Sequence, residues 1–287
     1  MLFKKHIQVS LYLLISFLLL FVQCKKKKLT DDTFFGSKVI ILGHRGMGAQ
    51  YKMPGDTYES IAPAIGIGCD GCEIDIHMTK DTALVLYHSA LLDPHTTCAG
   101  RINELTLDEV RQCEFHAAKN DIFICPAEEL FSKLPNITSL YFSFDCKVDH
   151  EVADFDLYQA QYLRAVKRLC DKYNMGQNVL VEGFQSFLIE AQKMGLSNKL
   201  FLAGALTQAH IDTAVKYSFF GISSQMDDFE VDADVAHGKG LYVMGYTPYN
   251  YYLNLSAINK KVDILQTDDP ISILKRFDRY NYDYVIP

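Results

Sequence analysis

Tryptophan is absent from the 287 residues, and proline (8) and glycine (17) stay at ordinary levels. That composition excludes collagen and coiled coil, and a hydrophobic fraction of 49% against 22% charged residues excludes disorder. Neither G-x-S-x-G nor a P-loop occurs, so serine hydrolase and nucleotide-binding readings have no support. Basic residues (28) are outnumbered by acidic ones (35), and the resulting formal charge of −7 argues against a nucleic-acid partner. No internal repeat is visible, and no low-complexity segment follows Lys25–Lys28. The length allows one large domain or two small ones, since barrels of alternating strands and helices run near about 250 residues as one unit.

Lys4 and Lys5 precede an apolar run from Ile7 to Val22, followed by Gln23, Cys24 and four lysines. This reads as a secretion signal. A Cys directly after the apolar core looks like a bacterial lipoprotein signal, in which Cys24 becomes the lipidated N-terminus. The competing reading is an uncleaved anchor, because about 17 residues is the lower limit for crossing a bilayer. Residues 1–24 are thus set apart as signal or anchor, 25–37 as a lysine-rich linker and 38–287 as the folded body. The body is expected to be exported, either periplasmic or extracellular or held at a membrane. The lysines form a solvated spacer that can touch anionic head groups.

Seven cysteines follow Cys24, an odd number that cannot all pair. Cys69 and Cys72 form a C-x-x-C, yet no second pair of Cys or His stands at zinc-finger spacing. The set leaves room for one or two disulfides, with buried free thiols for the remainder.

Beyond residue 37, short apolar runs alternate with amphipathic stretches. Strands are predicted at Val39–Gly43, Glu73–Met78, Leu84–Tyr87, Ser139–Cys146, Asn178–Val181, Lys199–Ala203, Phe219–Ser223, Leu241–Tyr246 and Val262–Gln266. Helices are predicted between most of them, among them Thr57–Ile67, Leu107–Cys113, Tyr158–Tyr173, Phe187–Met194, Gln208–Tyr217 and Pro270–Phe277. Strands separated by helices imply parallel pairing with right-handed crossovers. Eight or nine of them without a central break predict a single α/β domain, a TIM-type (β/α)8 barrel. A doubly wound open sheet is the runner-up, but the turn after its first strand is usually Gly-rich, and here it reads Gly43-His44-Arg45-Gly46.

In a parallel barrel the reactive residues collect at the C-terminal ends of the strands. His44 and Arg45 end the first strand, where flanking glycines let a ligand approach and Arg45 can bind a phosphate bidentately. Glu73, Asp75 and His77 alternate along a strand and share one face. Carboxylates on one face repel unless a cation sits between them, and all-oxygen ligation suits Ca2+ or Mg2+. His88 closes another strand, and Asp145 with Lys147 ends a further one. Together these residues fit metal-assisted phosphoryl chemistry. His95, His116, His150, His210 and His237 lack partners at informative spacing and read as surface or helix-face residues. Tyr246, Tyr249, Tyr251 and Tyr252 read as an aromatic loop at the reactive rim, enclosing a head group or capping the barrel.

The order His44-Arg45-Gly46, Pro54-Gly55-Asp56-Thr57, Glu73-Ile74-Asp75, Thr79-Lys80-Asp81 and His88 resembles the N-terminal signature of glycerophosphodiester phosphodiesterases. Thr96 to Gly100, Leu105 to Glu109, Phe144-Asp145-Cys146-Lys147, Gly240 to Thr247 and Gln266 to Pro270 continue the similarity. The chain departs from that family at four places. Gly55-Asp56 replaces Glu-Asn, Ser89 replaces an Asp after the His, Asp145 replaces a Glu, and Gly245-Tyr246-Thr247 replaces Trp-Thr.

The resemblance implies a TIM-type barrel that hydrolyses glycerophosphodiesters to an alcohol and glycerol phosphate with a divalent metal, Ca2+ or Mg2+. His44 and His88 match the acid/base pair, Arg45 and Lys147 the phosphate contacts, and Glu73, Asp75 and Asp145 the metal ligands. Two alternatives stand beside it. One is a related phosphodiesterase acting on intact lipid, similar to phosphatidylinositol-specific phospholipases C or sphingomyelinase D toxins. The other is a non-catalytic surface binding protein on the same barrel.

Overall fold

Eight of the short apolar runs become parallel strands whose order closes on itself. The structure, a computed structural model, describes residues 30–116 and 121–287. The readings of residues 1–24 as signal or anchor, of Cys24 as a lipidation site and of the lysine spacer lie outside the described residues. The barrel strands are β1 (Ile40–His44), β2 (Gly71–Met78), β5 (Tyr141–Cys146), β6 (Val179–Gly183), β7 (Lys199–Ala203), β8 (Gly221–Gln225), β9 (Tyr242–Tyr246) and β10 (Ile264–Thr267). They pair in that order, and β1 joins both β10 and β2, so the sheet closes and the TIM barrel stands.

The helices between them are α1 (Tyr58–Gly66), α2 (Leu107–Val110), α3 (Ala127–Lys133), α4 (Phe155–Lys172), α5 (Gln185–Lys193), α6 (Gln208–Lys216), α7 (Ala233–His237), α8 (Tyr251–Asn259) and α9 (Pro270–Arg276). Their starts follow from local chemistry. Asp154, Thr207, Asn250 and Asp269 each accept a backbone N–H of the first turn of α4, α6, α8 and α9, and Pro270 opens α9 where no N–H is needed. Among the described residues no helix is long and apolar enough to cross a membrane.

Three expectations differ from what the structure holds. The run Leu84–Tyr87 is a short strand, β3 (Leu84–Leu86), but it pairs antiparallel with β2 and with β4 (Cys125–Pro126), outside the barrel. Only five residues, Thr79–Ala83, connect Met78 to Leu84, too short a link for a parallel crossover, and Thr79 N–H closes it onto Ala83 C=O at 2.8 Å. The helix at 107 stops at Val110 instead of reaching Cys113: its backbone bonds tighten there, Cys113 N–H donating to Val110 C=O at 3.0 Å, and Cys113 is joined to Cys98 by a disulfide. The expected aromatic loop instead enters helix α8 at Tyr251. Asn254 on its buried face, donating to Asp269 C=O at 2.9 Å, breaks the apolar period that would have announced a helix.

Alternation along the strands fills the barrel in layers. Leu42, Leu180, Phe201, Met244 and Ile264 form a fully buried apolar cluster. Above it Ser143, Ser223 and Gln266 donate to the buried Glu182 carboxylate. Parallel register then sets His44 beside Glu73 and Asp75 beside Asp145. The chain between β3 and β4 forms an insertion over this end. It is packed on its own cluster, including Tyr87, Leu92, Ile102, Val110 and Phe115, and closed by the Cys98–Cys113 disulfide. Cys69, Cys72, Cys125, Cys146 and Cys170 are buried free thiols.

Candidate functional site

The turn after β1 is shaped by its glycines. Gly46 has φ +99°, and a Cβ there would meet Ser60 at 2.5 to 2.6 Å, so the chain must pass bare at that point. Arg45, at φ 51°, is left-handed without being glycine, and its N–H donates to Glu73 Oε2 at 3.0 Å. The next loop folds back on this turn. Asp56 N–H donates to Arg45 C=O at 3.1 Å, and the buried Asp56 Oδ1 accepts Asp75 N–H at 3.0 Å.

His44 is held at both ends of its ring. Nδ1 lies 2.7 Å from Asp268 Oδ1, and Nε2 lies 3.7 Å from Glu73 Oε2 and 3.4 Å from Arg45 Nε. Asp268 follows β10, and the β1–β10 pairing is what brings it to His44 from the far end of the chain. Lys147 Nζ sits 2.8 Å from Asp75 Oδ1 and also binds Asp145 Oδ2. Arg45 Nε lies 3.3 Å from Asp75 Oδ2 without hydrogen-bond alignment, so that buried oxygen has no hydrogen-bond partner.

Glu73, Asp75 and Asp145 each offer an oxygen, and these lie within 4.8 Å of one another. Burial pushes Glu73 well above the usual carboxylate range, and the charges of Asp75, Asp56, Asp145 and Glu182 push it further. Burial also raises Asp56, with Asp75 adding to it. On Asp75 burial acts upward too, but Lys147, Arg45 and His88 outweigh it and hold the carboxyl below its ordinary value. Crowded carboxylates with one unpartnered oxygen are the donor set a hard divalent cation takes, so the residues present fit such an ion.

His88, after β3, lies exposed at the mouth. The loss of solvent on its inner side lowers its imidazole below the usual range, opposed by Asp75 and assisted by Arg45 and Lys147. A cavity of about 520 Å3 opens there, lined by Arg45, Gly55, Asp56, His88, His95 and His116 among others.

All seven site residues picked out from the sequence thus gather at one rim. His77 does not join them: it continues the Glu73 and Asp75 face where β2 has turned to pair with β3, and burial drops its imidazole to about 4. Sequence reasoning missed Asp268 as the partner of His44, although its place directly after a strand was a usable signal. It also missed Glu182, a lone acid in an apolar strand. His95 and His116 were read as surface residues, and they are exposed, yet both line the cavity. His237 lies on α7 as a helix-face residue but is buried, with Nε2 2.9 Å from Asp263 Oδ2.

Comparison with known proteins places this rim in context. The Glycerophosphoryl diester phosphodiesterase family matches residues 44–272. A glycerophosphodiester phosphodiesterase of Caldanaerobacter subterraneus is 26% identical over 170 residues, covering 58% of this chain and 66% of that protein. The chain spans under two thirds of the length of the first curated relatives it matches. Among solved structures, a putative glycerophosphoryl diester phosphodiesterase from Silicibacter pomeroyi superposes with a TM-score of 0.74 at 20% identity, covering 84% of this chain and 93% of that one. An Oleispira antarctica phosphodiesterase, solved with the product sn-glycerol-3-phosphate, superposes with a TM-score of 0.70 at 18% identity, covering 83% and 96%. At these identities the two structures speak for the fold.

Proposed function

The chain belongs to the glycerophosphoryl diester phosphodiesterase family, and from that premise we propose that it hydrolyses glycerophosphodiesters to an alcohol and glycerol phosphate. His44 and His88 act as the acid/base pair, Arg45 and Lys147 contact the phosphate, and Glu73, Asp75 and Asp145 hold a divalent cation, Ca2+ or Mg2+. The observation that carries this reading is the Asp268–His44 pair, 2.7 Å apart, beside a buried oxygen cluster in which Asp75 Oδ2 has no hydrogen-bond partner.

The Asp268 carboxylate accepts a hydrogen bond from His44 Nδ1–H, which assigns the tautomer and leaves the Nε2 lone pair, held only by a long 3.4 Å contact from Arg45 Nε, to take a proton and give it back. One imidazole removes the proton of the attacking hydroxyl as its oxygen bonds to phosphorus, and the other protonates the alcohol oxygen as its bond to phosphorus breaks. Arg45 and Lys147 orient the phosphoryl oxygens and meet the charge that develops on them. A divalent cation bound to the three carboxylates supplies Lewis-acid polarisation of the same group.

The test is glycerol phosphate release from glycerophosphocholine, glycerophosphoethanolamine and glycerophosphoinositol with calcium, magnesium or EDTA, beside His44→Ala. Release that requires metal and His44 is expected. Turnover of intact phospholipid alone supports the lipid-cleaving alternative, and tight binding without turnover supports the non-catalytic one.

Residues 1–24 are proposed to export the protein and Cys24 to tether it by lipid, on the strength of the apolar run from Ile7 to Val22 that ends at that cysteine. Metabolic labelling with palmitate is expected to tag the wild type and to be lost in Cys24→Ala. Labelling that survives the change refutes the assignment.

A further inference from the structure

The cavity at the rim extends past the phosphate-contact residues, and the chemistry of its walls bears on which alcohol the enzyme releases. From Arg45 and His88 it runs under the insertion to His95 and His116. The two imidazoles are carried by one short ribbon. Thr96 bridges to Phe115, His116 N–H donates to His95 C=O at 3.0 Å, and Thr97 N–H donates to Glu114 C=O at 2.9 Å. The Cys98–Cys113 disulfide closes that ribbon a few residues away, so the pair is presented together at one wall.

Among the described residues the lining holds a single carboxylate, Asp56, which is 1% exposed and already accepts Asp75 N–H. Position 55, where the family resemblance has Glu, is glycine, and a Cβ there would come within 2.8 Å of Arg45 Cβ. Position 55 therefore offers the cavity no acidic side chain unless Arg45 gives way. Nor is an aromatic cage open to a cation. Tyr87 and Phe115 line the cavity but are only 3% and 8% exposed, with centroids 5.9 Å apart, and the Tyr87 hydroxyl donates to Leu91 and Leu92 carbonyls. An ammonium head group thus meets one buried, already engaged carboxylate and two buried rings here. An anionic one finds a guanidinium and three imidazoles.

We propose that this cavity receives the leaving alcohol and selects alcohols that carry an anionic group of their own, such as a phosphorylated polyol, over ammonium alcohols, with His95 and His116 determining that specificity. The inference rests on the hydrolase reading above and deepens it.

The test compares glycerophosphoglycerophosphoglycerol, whose leaving alcohol is anionic, with glycerophosphoglycerol, whose leaving alcohol is neutral, and glycerophosphocholine. The first is expected to have a kcat/KM about 10-fold or more above the second, as one charge-assisted hydrogen bond provides, with the choline diester slowest. His95→Gln and His116→Gln are each expected to remove most of that margin through KM, leaving kcat and the neutral substrate unchanged. Raising the salt concentration is expected to narrow the margin as well. A choline diester cleaved as fast as the anionic one, or variants that slow every substrate alike, overturns the proposal while leaving the hydrolase reading intact. If no diester is cleaved, the hydrolase reading fails. Calorimetric titration with the same three uncleaved diesters then decides the selectivity, and equal affinities overturn it.

Discussion

At the N-terminal end of the barrel each acid stands beside a basic side chain, whereas at the C-terminal end the acids are crowded together. Below the strands, Asp70 Oδ2 takes Ile41 N–H and the Arg279 guanidinium, while Arg279 also donates to Val39 C=O at 2.9 Å. Asp263 Oδ2 takes His237 Nε2 at 2.9 Å and Val243 N–H at 2.8 Å. Each acid there faces one cationic or imidazole partner and a backbone donor. Above the strands, Asp56, Glu73, Asp75 and Asp145 crowd around Arg45 and Lys147, and after burial it is the neighbouring carboxylates that push Glu73 and Asp56 up. An acid matched one to one with a basic side chain holds the fold. A cluster in which acids outnumber the cations beside them is shaped for a positive charge from outside.

Substitutions at the two ends break this comparison in opposite directions. Glu73→Gln removes charge from the crowded end while keeping an oxygen for Arg45 N–H. Its kcat/KM is expected to fall about a thousandfold, with urea stability unchanged or higher. A variant that unfolds more easily than wild type contradicts the account of the upper end. His237→Gln, at the paired end, leaves a buried charge without its partner. It is expected to lose about 3–5 kcal/mol of unfolding free energy while keeping wild-type kcat/KM, and denaturant melts beside steady-state assays read both quantities.

Added cation sharpens the comparison further. At a hundred times its dissociation constant, a divalent ion that binds only the folded protein adds about 2.7 kcal/mol, which corresponds to a Tm rise of roughly 5–10 °C. Differential scanning calorimetry is expected to show that rise in wild type and not in Glu73→Gln. EDTA is expected to reverse it.

The smallest effect concerns pH. Burial acts to raise Asp268, but its hydrogen bond and charge contact with His44 prevail and leave it below the ordinary carboxylate value. Its contribution to stability is therefore complete above the unfolded-state pKa and fades as pH falls through the folded one. Wild type is expected to exceed Asp268→Asn by about 1 kcal/mol near neutrality, and the gap is expected to close below about pH 4. Glu73 has the opposite sign. Its raised folded pKa means stability falls as pH rises from the ordinary glutamate value toward the folded one, and Glu73→Gln should flatten that limb of the profile. A gap at Asp268 that stays constant with pH contradicts the pairing with His44.

Much of the barrel was legible because its signals are local. Strand runs such as Val39–Gly43 and Asn178–Val181 carry their apolar character within a few residues, and the amphipathic stretches between them match observed helices such as α4 and α6. Glu73 and Asp75 were legible as neighbours because strand alternation puts residues two apart on one side. Elements governed by distant contacts were not. Asn254 belongs to a helix because Asp269 and Ser272 accept its amide hydrogens. The insertion that carries His95 and His116 folds around its own small cluster and one disulfide, and no periodicity reports either.

The sequence by itself determined the alternation of strand and helix, the glycine-bounded turn at His44 and Arg45, and the shared face of Glu73 and Asp75, since all of these follow from spacing within a few residues. Only closure of the barrel decided the rest. Pairing β1 with β10 delivered Asp268 to His44, and pairing β2 with β5 set Asp145 beside Asp75. Which thiols bond, which histidines line the cavity and which carboxylates crowd together depend on through-space distances that exist only in the folded chain.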